Sequence, residues 1–168
     1  MERFCDGDEK AFEALFDRHA PAVRSYLVRL LGNAALADDL TQTTFVSLIR
    51  ARGRFLRGSR FKPWLYAIAT NAARDSKRRR TEQLTATGEL PPTEGVEMQV
   101  RDAGMEKQVH AALNQLPDSQ REAILQHRFH GISFAEIALA EGVSESAVKV
   151  RAHRGYQRLR ELLQGLWP

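Results

Sequence analysis

Apolar residues recur at three- and four-residue spacing along most of the chain, and that period predicts helices. Between residues 8 and 31 the stripe is Phe12, Leu15, Phe16, Val23, Tyr26, Leu27, Leu30 and Leu31. Pro21 interrupts it. A proline lacks the N–H and crowds the carbonyl four residues back, so two helices meeting near Ala20–Pro21 are expected. Gly32 and Asn33 make a turn. The next stripe, from about Ala34 to Arg52, is Leu36, Leu40, Thr44, Phe45, Leu48 and Ile49; Asp38, Asp39, Gln42 and Thr43 lie on the other face. Residues 53–62 (GRFLRGSRFK) break the pattern as a loop in which phenylalanines stand among bases, costly to expose without a partner. Pro63 suits the first turn of a helix running to about Arg80, with Trp64, Leu65, Ile68, Ala69 and Ala72 inward.

Residues 81–104 lack helical period and hold Pro91-Pro92, three glycines and five acids, as a flexible linker does. Past it, Val109, Ala112, Leu113 and Leu116 form a stripe that Pro117 ends, and Asp118 can cap a helix through Phe129 with Ile124 and Leu125 inward. Gly131 closes that helix. From Ile132 to Arg160 two cap-and-staple patterns follow in succession. Ser133 and Glu136 have capping-box spacing, with Ile132 and Ile137 as the staple. Gly142 ends this helix; Ser144 caps the next, stapled by Val143 and Val148, and small Ala138 permits a close crossing. The pattern predicts an all-α chain: helical domains at 1–80 and 105–168, a flexible linker at 81–104, and a helix-turn-helix in the second domain. Four helices per domain are expected, with no strand and no internal repeat.

Charge sharpens this picture. The net charge is +4, but residues 50–80 hold eleven bases against one acid, Asp75. A second basic run is Lys149, Arg151, Arg154, Arg158 and Arg160 on the last helix. Acidic or near-neutral sequence separates the two, which points to a polyanion contacted at two places. One cysteine, Cys5, excludes an internal disulfide framework, and no apolar run reaches membrane-spanning length. The N-terminal residues MERFCDGDEK do not read as a signal peptide, so a soluble cytoplasmic protein is expected, without membrane insertion. No HExxH, no phosphate-binding GxxxxGK[ST], no Cys/His metal set and no catalytic carboxylate pair occur, so neither an enzyme nor a bound cofactor or metal is expected. His127 and His130 are too few to hold a metal, and Cys5 reads as an incidental thiol.

Taken in order, AFEALFDRHAP (11–21), ADDLTQTTFVSLIRAR (37–52), FKPWLYAIATNAARDSKRRR (61–80), LPDSQREAIL (116–125), GISFAEIA (131–138) and VSESAVKVRAHRGYQRLR (143–160) resemble the sigma-70 family, specifically its extracytoplasmic-function (ECF) group of RNA polymerase sigma factors. The resemblance spans roughly residues 9–165. It implies that residues 1–80 are region 2, which docks on polymerase and reads and melts the minus-10 element. Residues 105–168 are then region 4, which reads the minus-35 element.

The implied contacts can be set against side-chain chemistry. On the recognition helix Ser146, Lys149, Val150, His153 and Arg154 share a face, with Arg151 in the same basic run; Lys149 and Arg154 suit guanine or phosphate, Val150 a thymine methyl, and Ser144 with the helix N-terminus a phosphate. His153 reads equally as a surface histidine. For a flipped minus-10 base on the melted non-template strand, Asn71 matches the family's position; Arg60, Lys62, Arg74 and Arg78 suit phosphates, and Trp64 is either core or stacking surface. The helix 37–52 matches the docking face for the clamp helices of the polymerase β′ subunit through Asp38, Asp39, Leu40, Gln42, Thr43 and Phe45, with Leu40 and Phe45 alternatively core. Leu125, Phe129 and Ile132 are candidates for the β flap tip. The resemblance also implies an anti-sigma factor as a possible partner. The rival reading is a stand-alone dimeric helix-turn-helix regulator on a palindrome, which leaves the basic aromatic loop and the acid-edged helix without a use.

Overall fold

The computed structural model describes residues 1–87 and 104–164, and among them every regular element is helical. The chain divides into two compact units between residues 95 and 96.

In the first unit α1 is a single turn, Glu2–Cys5, followed by α2 (Glu9–Leu31), α3 (Ala34–Ala51), a 3₁₀ turn (Arg52–Arg54) and α4 (Phe61–Thr87). Asp8 caps α2 by accepting from the Ala11 amide, and Asn33 caps α3 by accepting from Leu36. Where two helices were expected to meet, α2 runs unbroken through Pro21. Pro21 is exposed, so water can satisfy the carbonyl that loses its intrahelical partner. The expected number of helices therefore holds for a different reason: α1, not a break at Pro21, supplies the extra one.

Val23, Tyr26, Leu27, Leu48 and Leu65 are at or near zero exposure where α2, α3 and α4 pack. The Tyr26 hydroxyl donates to Thr70 Oγ1 at 2.7 Å, and Thr70 in turn donates to the Tyr66 carbonyl at 2.8 Å, so the buried hydroxyls are satisfied. Burial pushes the Tyr66 phenol well above its ordinary pKa. On the expected apolar face of α3, Ile49 is instead exposed. The helix α4 continues to Thr87, so the first seven residues of the expected linker are helical; residues 88–103 lie outside the described residues.

The second unit contains α5 (Met105–Asn114), α6 (Asp118–Ile124), a π-helical segment (Leu125–Phe129), α7 (Phe134–Glu141) and α8 (Glu145–Leu162). Asp118 does not cap α6: Pro117 holds that position, and Asp118 sits in the first turn paired with Arg121 at 2.9 Å. The capping box of α7 forms on both sides, with the Glu136 amide donating to Ser133 Oγ and the Ser133 amide donating to Glu136 Oε2 at 2.8 Å. Gly142 takes φ +68, the left-handed conformation that lets the chain leave α7 and enter α8 within three residues. Ser144 then accepts from the Ala147 amide at 3.2 Å. Ile132, Ile137, Ala138 and Val148 are all buried, as the staples and close crossing require. Gly155 allows α8 to lie against α6: a Cβ there would stand 2.6 Å from Ile124 Cδ1 and 3.2 Å from Gln120 Cβ.

Candidate nucleic-acid and partner interface

The α3 helix separates its two faces cleanly. Ala37, Leu40, Thr41, Thr44, Phe45 and Leu48 point inward. Asp38, Asp39, Gln42, Thr43, Val46, Ile49 and Arg50 form the exposed arc. Of the expected docking residues, Phe45 (2% exposed) and Leu40 (8%) are therefore core, Leu40 also lining the groove against α4. Phe45 packs edge-on against Phe16 with ring centres 4.8 Å apart. Asp38 already pairs with Arg24 of α2, a bond that holds its carboxyl below the usual carboxylate range. Asp39, Gln42 and Thr43 stay exposed. Val46 (44% exposed) and Ile49 (41%) were missed as surface residues because period alone cannot say which edge of a stripe reaches solvent; Phe16 (39%) is exposed on α2.

The loop between α3 and α4 is not the naked aromatic patch that its composition suggests. Phe55 is buried and meets Trp64 edge-on at 5.2 Å, while Phe61 is half-buried 6.4 Å from the same ring. Trp64, itself half-buried, thus helps anchor the loop. Leu56 alone of the loop's large apolar side chains is well exposed.

The N-terminal turn clasps this loop from outside, an arrangement that sequence reasoning missed. Glu2 Oε1 accepts from the Gly58 amide at 2.9 Å, Cys5 Sγ donates to the Arg52 carbonyl at 3.3 Å, and Asp6 pairs with Arg57. The Arg52 guanidinium lies 5.7 Å from the Phe4 ring centre.

Trp64, Asn71, Arg74 and Arg78 fall on one side of α4 by its period, and the last three are exposed. Lys62 does not join them. It sits half-buried on the opposite side, where its charge, after burial and Arg18, helps lower the His19 pKa. Arg60 remains in the loop, away from Asn71 in sequence and element. Arg78 pairs with Asp75 (3.2 Å) and Glu82 (3.7 Å), exposed contacts weak enough for a phosphate to displace. An open groove of about 690 Å³ runs between α3 and α4, lined by Thr43, Ser47 and Arg50 on one wall and Asn71, Asp75 and Arg79 on the other.

In the second unit Ser146, Lys149, Val150, His153 and Arg154 are exposed on one face of α8, opposite buried Val148, Ala152 and Gly155. Lys149 pairs with Glu145 at 2.7 Å. The Ser144 hydroxyl is engaged as the helix cap. Arg151, expected among the DNA-binding residues though not on that face, is half-buried and pairs with Glu141 at 3.3 Å, so it does not share the exposed face. Leu125 and Ile132 are buried and cannot contact a partner, whereas Phe129 is 46% exposed. His127 Nδ1 donates to the Ile132 carbonyl at 3.0 Å and its ring stacks on Phe134 at 4.0 Å, so it braces the turn before α7.

The two all-helical units thus present one groove between α3 and α4 and one helix-turn-helix with a basic outer face. Residues 15–83 match Sigma-70 region 2 and residues 106–159 match Sigma-70 region 4. The chain is 46% identical to the RNA polymerase sigma factor CarQ of Myxococcus xanthus, over 97% of this chain and 95% of that protein. It is 35% identical to the ECF RNA polymerase sigma factor SigE of Mycolicibacterium smegmatis, over 94% of this chain but 64% of that longer protein. Its fold matches the sigma factor RpoE of Bartonella quintana, solved with the anti-sigma factor NepR, at TM-score 0.76 and 27% identity over 93% of this chain and 98% of that one. The chain belongs to the sigma-70 family, in its ECF group of RNA polymerase sigma factors.

No described helix is long and apolar enough to cross a membrane.

Proposed function

We propose that this chain joins core RNA polymerase, directs it to promoters through a minus-35 and a minus-10 element, and promotes strand opening. The observation that carries the reading furthest is the pairing of two exposed basic surfaces with an acid-edged, partly apolar helix face in a chain of this family. The exposed arc of α3, with Asp39, Gln42 and Thr43 beside Val46 and Ile49, has the apolar centre and polar rim of a protein interface and would take the β′ clamp helices. Phe129 is the side chain left to meet the β flap tip.

On α8, Lys149 and Arg154 would donate to guanine edges or phosphates, Val150 would meet a thymine methyl, and Ser146 and His153 complete the reading face. On α4, Asn71 would hydrogen-bond the flipped minus-10 base, with Trp64 on the same side of the helix and Arg60, Arg74 and Arg78 on the phosphates of the non-template strand. The chain would act by binding and positioning, with catalysis left to the polymerase. RpoE of Bartonella quintana forms a complex with an anti-sigma factor, and a partner of that kind, if it covered the α3 arc of this chain, would keep it from polymerase.

Selection from a random duplex library tests this reading. Holoenzyme formed with the chain should enrich two unlike sequence blocks at fixed spacing. A palindrome enriched by the chain alone, as a dimer, would replace the proposal with that of a stand-alone regulator.

A further inference from the structure

The helix-turn-helix encloses a polar cluster that the reading face does not use. Glu141 is the last residue of α7, immediately before the Gly142 turn. Its side chain is 7% exposed. One carboxylate oxygen, Oε1, accepts from Gln126 Nε2 at 3.3 Å; the other, Oε2, accepts from Arg151 Nη1 at 3.3 Å. Gln126 is 1% exposed and lies in the π-helical segment, within an unbroken buried run from Glu122 to Gln126.

A carboxylate is costly to remove from water unless its lone pairs are met. Here these two donors come from two different elements, so both bonds to Glu141 form together when the π-helical segment, the end of α7 and the middle of α8 hold their places. Hydrophobic contacts tolerate sliding and small rotation, whereas a bidentate hub between fixed donors does not. Arg151 follows Val150 directly and precedes His153 by two residues, so the hub holds α8 from its inner side at the level of the exposed reading residues.

We propose that Glu141, through Gln126 and Arg151, sets the rotation of α8 about its axis and thereby which bases its outer face reads. Gln126 and Glu141 are positioning residues for minus-35 recognition, and Arg151 serves through the clasp and not by touching DNA. The inference rests on α8 being the duplex-reading helix.

The test uses full-length chain in complex with core polymerase, a duplex recovered by library selection, and a scrambled duplex of equal length, across a range of salt. Glu141→Gln and Arg151→Gln should each lower the ratio of specific to scrambled binding about tenfold, the size of one mismatched base pair. The salt slope should not change, and the double variant should be no worse than either single one. Lys149→Gln, on the reading face, should instead lower the slope by about one. A triple replacement, Gln126→Leu with Glu141→Leu and Arg151→Leu, removes the three members of the clasp together, so none of them is left buried opposite a missing partner, and keeps the fold testable. It should melt as a folded protein yet lose the same specificity.

Full specificity in the triple variant would overturn the proposal. So would a salt slope reduced by Arg151→Gln alongside an unchanged ratio in Glu141→Gln, since Arg151 would then contact phosphate. If the unmodified complex prefers no duplex, or Lys149→Gln changes nothing, the reading of α8 fails and takes the proposal with it.

Discussion

Phe55 and Trp64 meet edge to face, ring centres 5.2 Å apart at 62°, and this contact turns a basic loop into a fixed feature of the first unit. The phenylalanine comes from the loop and the tryptophan from the first turns of α4. The loop's arginines are thus carried on an apolar anchor. Phe55→Ala should cost about 3 kcal/mol of the first unit's stability, measured by denaturant unfolding, because a nearly buried aromatic ring leaves a cavity.

Asn71 is exposed in the middle of α4, so its removal should cost the fold almost nothing; alanine is the better helix former there. Asn71→Ala should leave the melting temperature within a few degrees. In complex with core polymerase it should nevertheless bind a single-stranded minus-10 oligonucleotide about tenfold less tightly, as fluorescence anisotropy would show.

The capping box of α7 sets the entry to the helix-turn-helix. Ser133→Ala should destabilise the second unit by about 1 kcal/mol in denaturant unfolding. Ser133→Thr, which keeps both the acceptor for the Glu136 amide and the hydroxyl that donates to the Glu136 carboxylate, should restore most of it.

His19 lies half-buried against Phe61, ring centres 5.1 Å apart. Burial lowers its pKa below the ordinary histidine range, with the charges of Arg18 and Lys62 adding to the shift. As pH falls into that range the unfolded chain takes up a proton that the folded chain resists, so stability is present above about pH 6.5 and falls as pH drops toward the depressed folded pKa. A series of thermal melts between pH 7.5 and 5.5 should show this fall, and His19→Gln should reduce it.

What the sequence revealed was what is local. Ser133 with Glu136, Gly142, and Ser144 with Ala147 lie within four residues of their partners, so their chemistry is visible in the order of residues alone. Pro21 misled because a proline's effect depends on whether water can reach the orphaned carbonyl, and exposure is a tertiary property. Leu40 and Phe45 could not be told from surface residues without knowing which arc of α3 faces α2 and α4. Arg151 looked like its basic neighbours, but one residue's rotation on a helix takes it from the outer face to the Glu141 carboxylate.

The N-terminal turn was missed for another reason: its bonds to the loop join residues 47 to 56 positions apart, and no pattern along the chain announces them. The close approach of α8 to α6 at Gly155 was likewise invisible, since a glycine inside a helix by itself signals only weaker propensity.

Binding of the purified chain to core RNA polymerase tests the central claim most directly, with Asp39→Arg and Ile49→Arg beside it. Both residues are exposed on the α3 arc, so neither substitution should unfold the domain. Saturable one-to-one binding, weakened about tenfold or more by each variant, is the predicted result. A core enzyme that accepts other sigma factors but does not bind this chain, or binds it equally well with either arginine in place, would contradict the account.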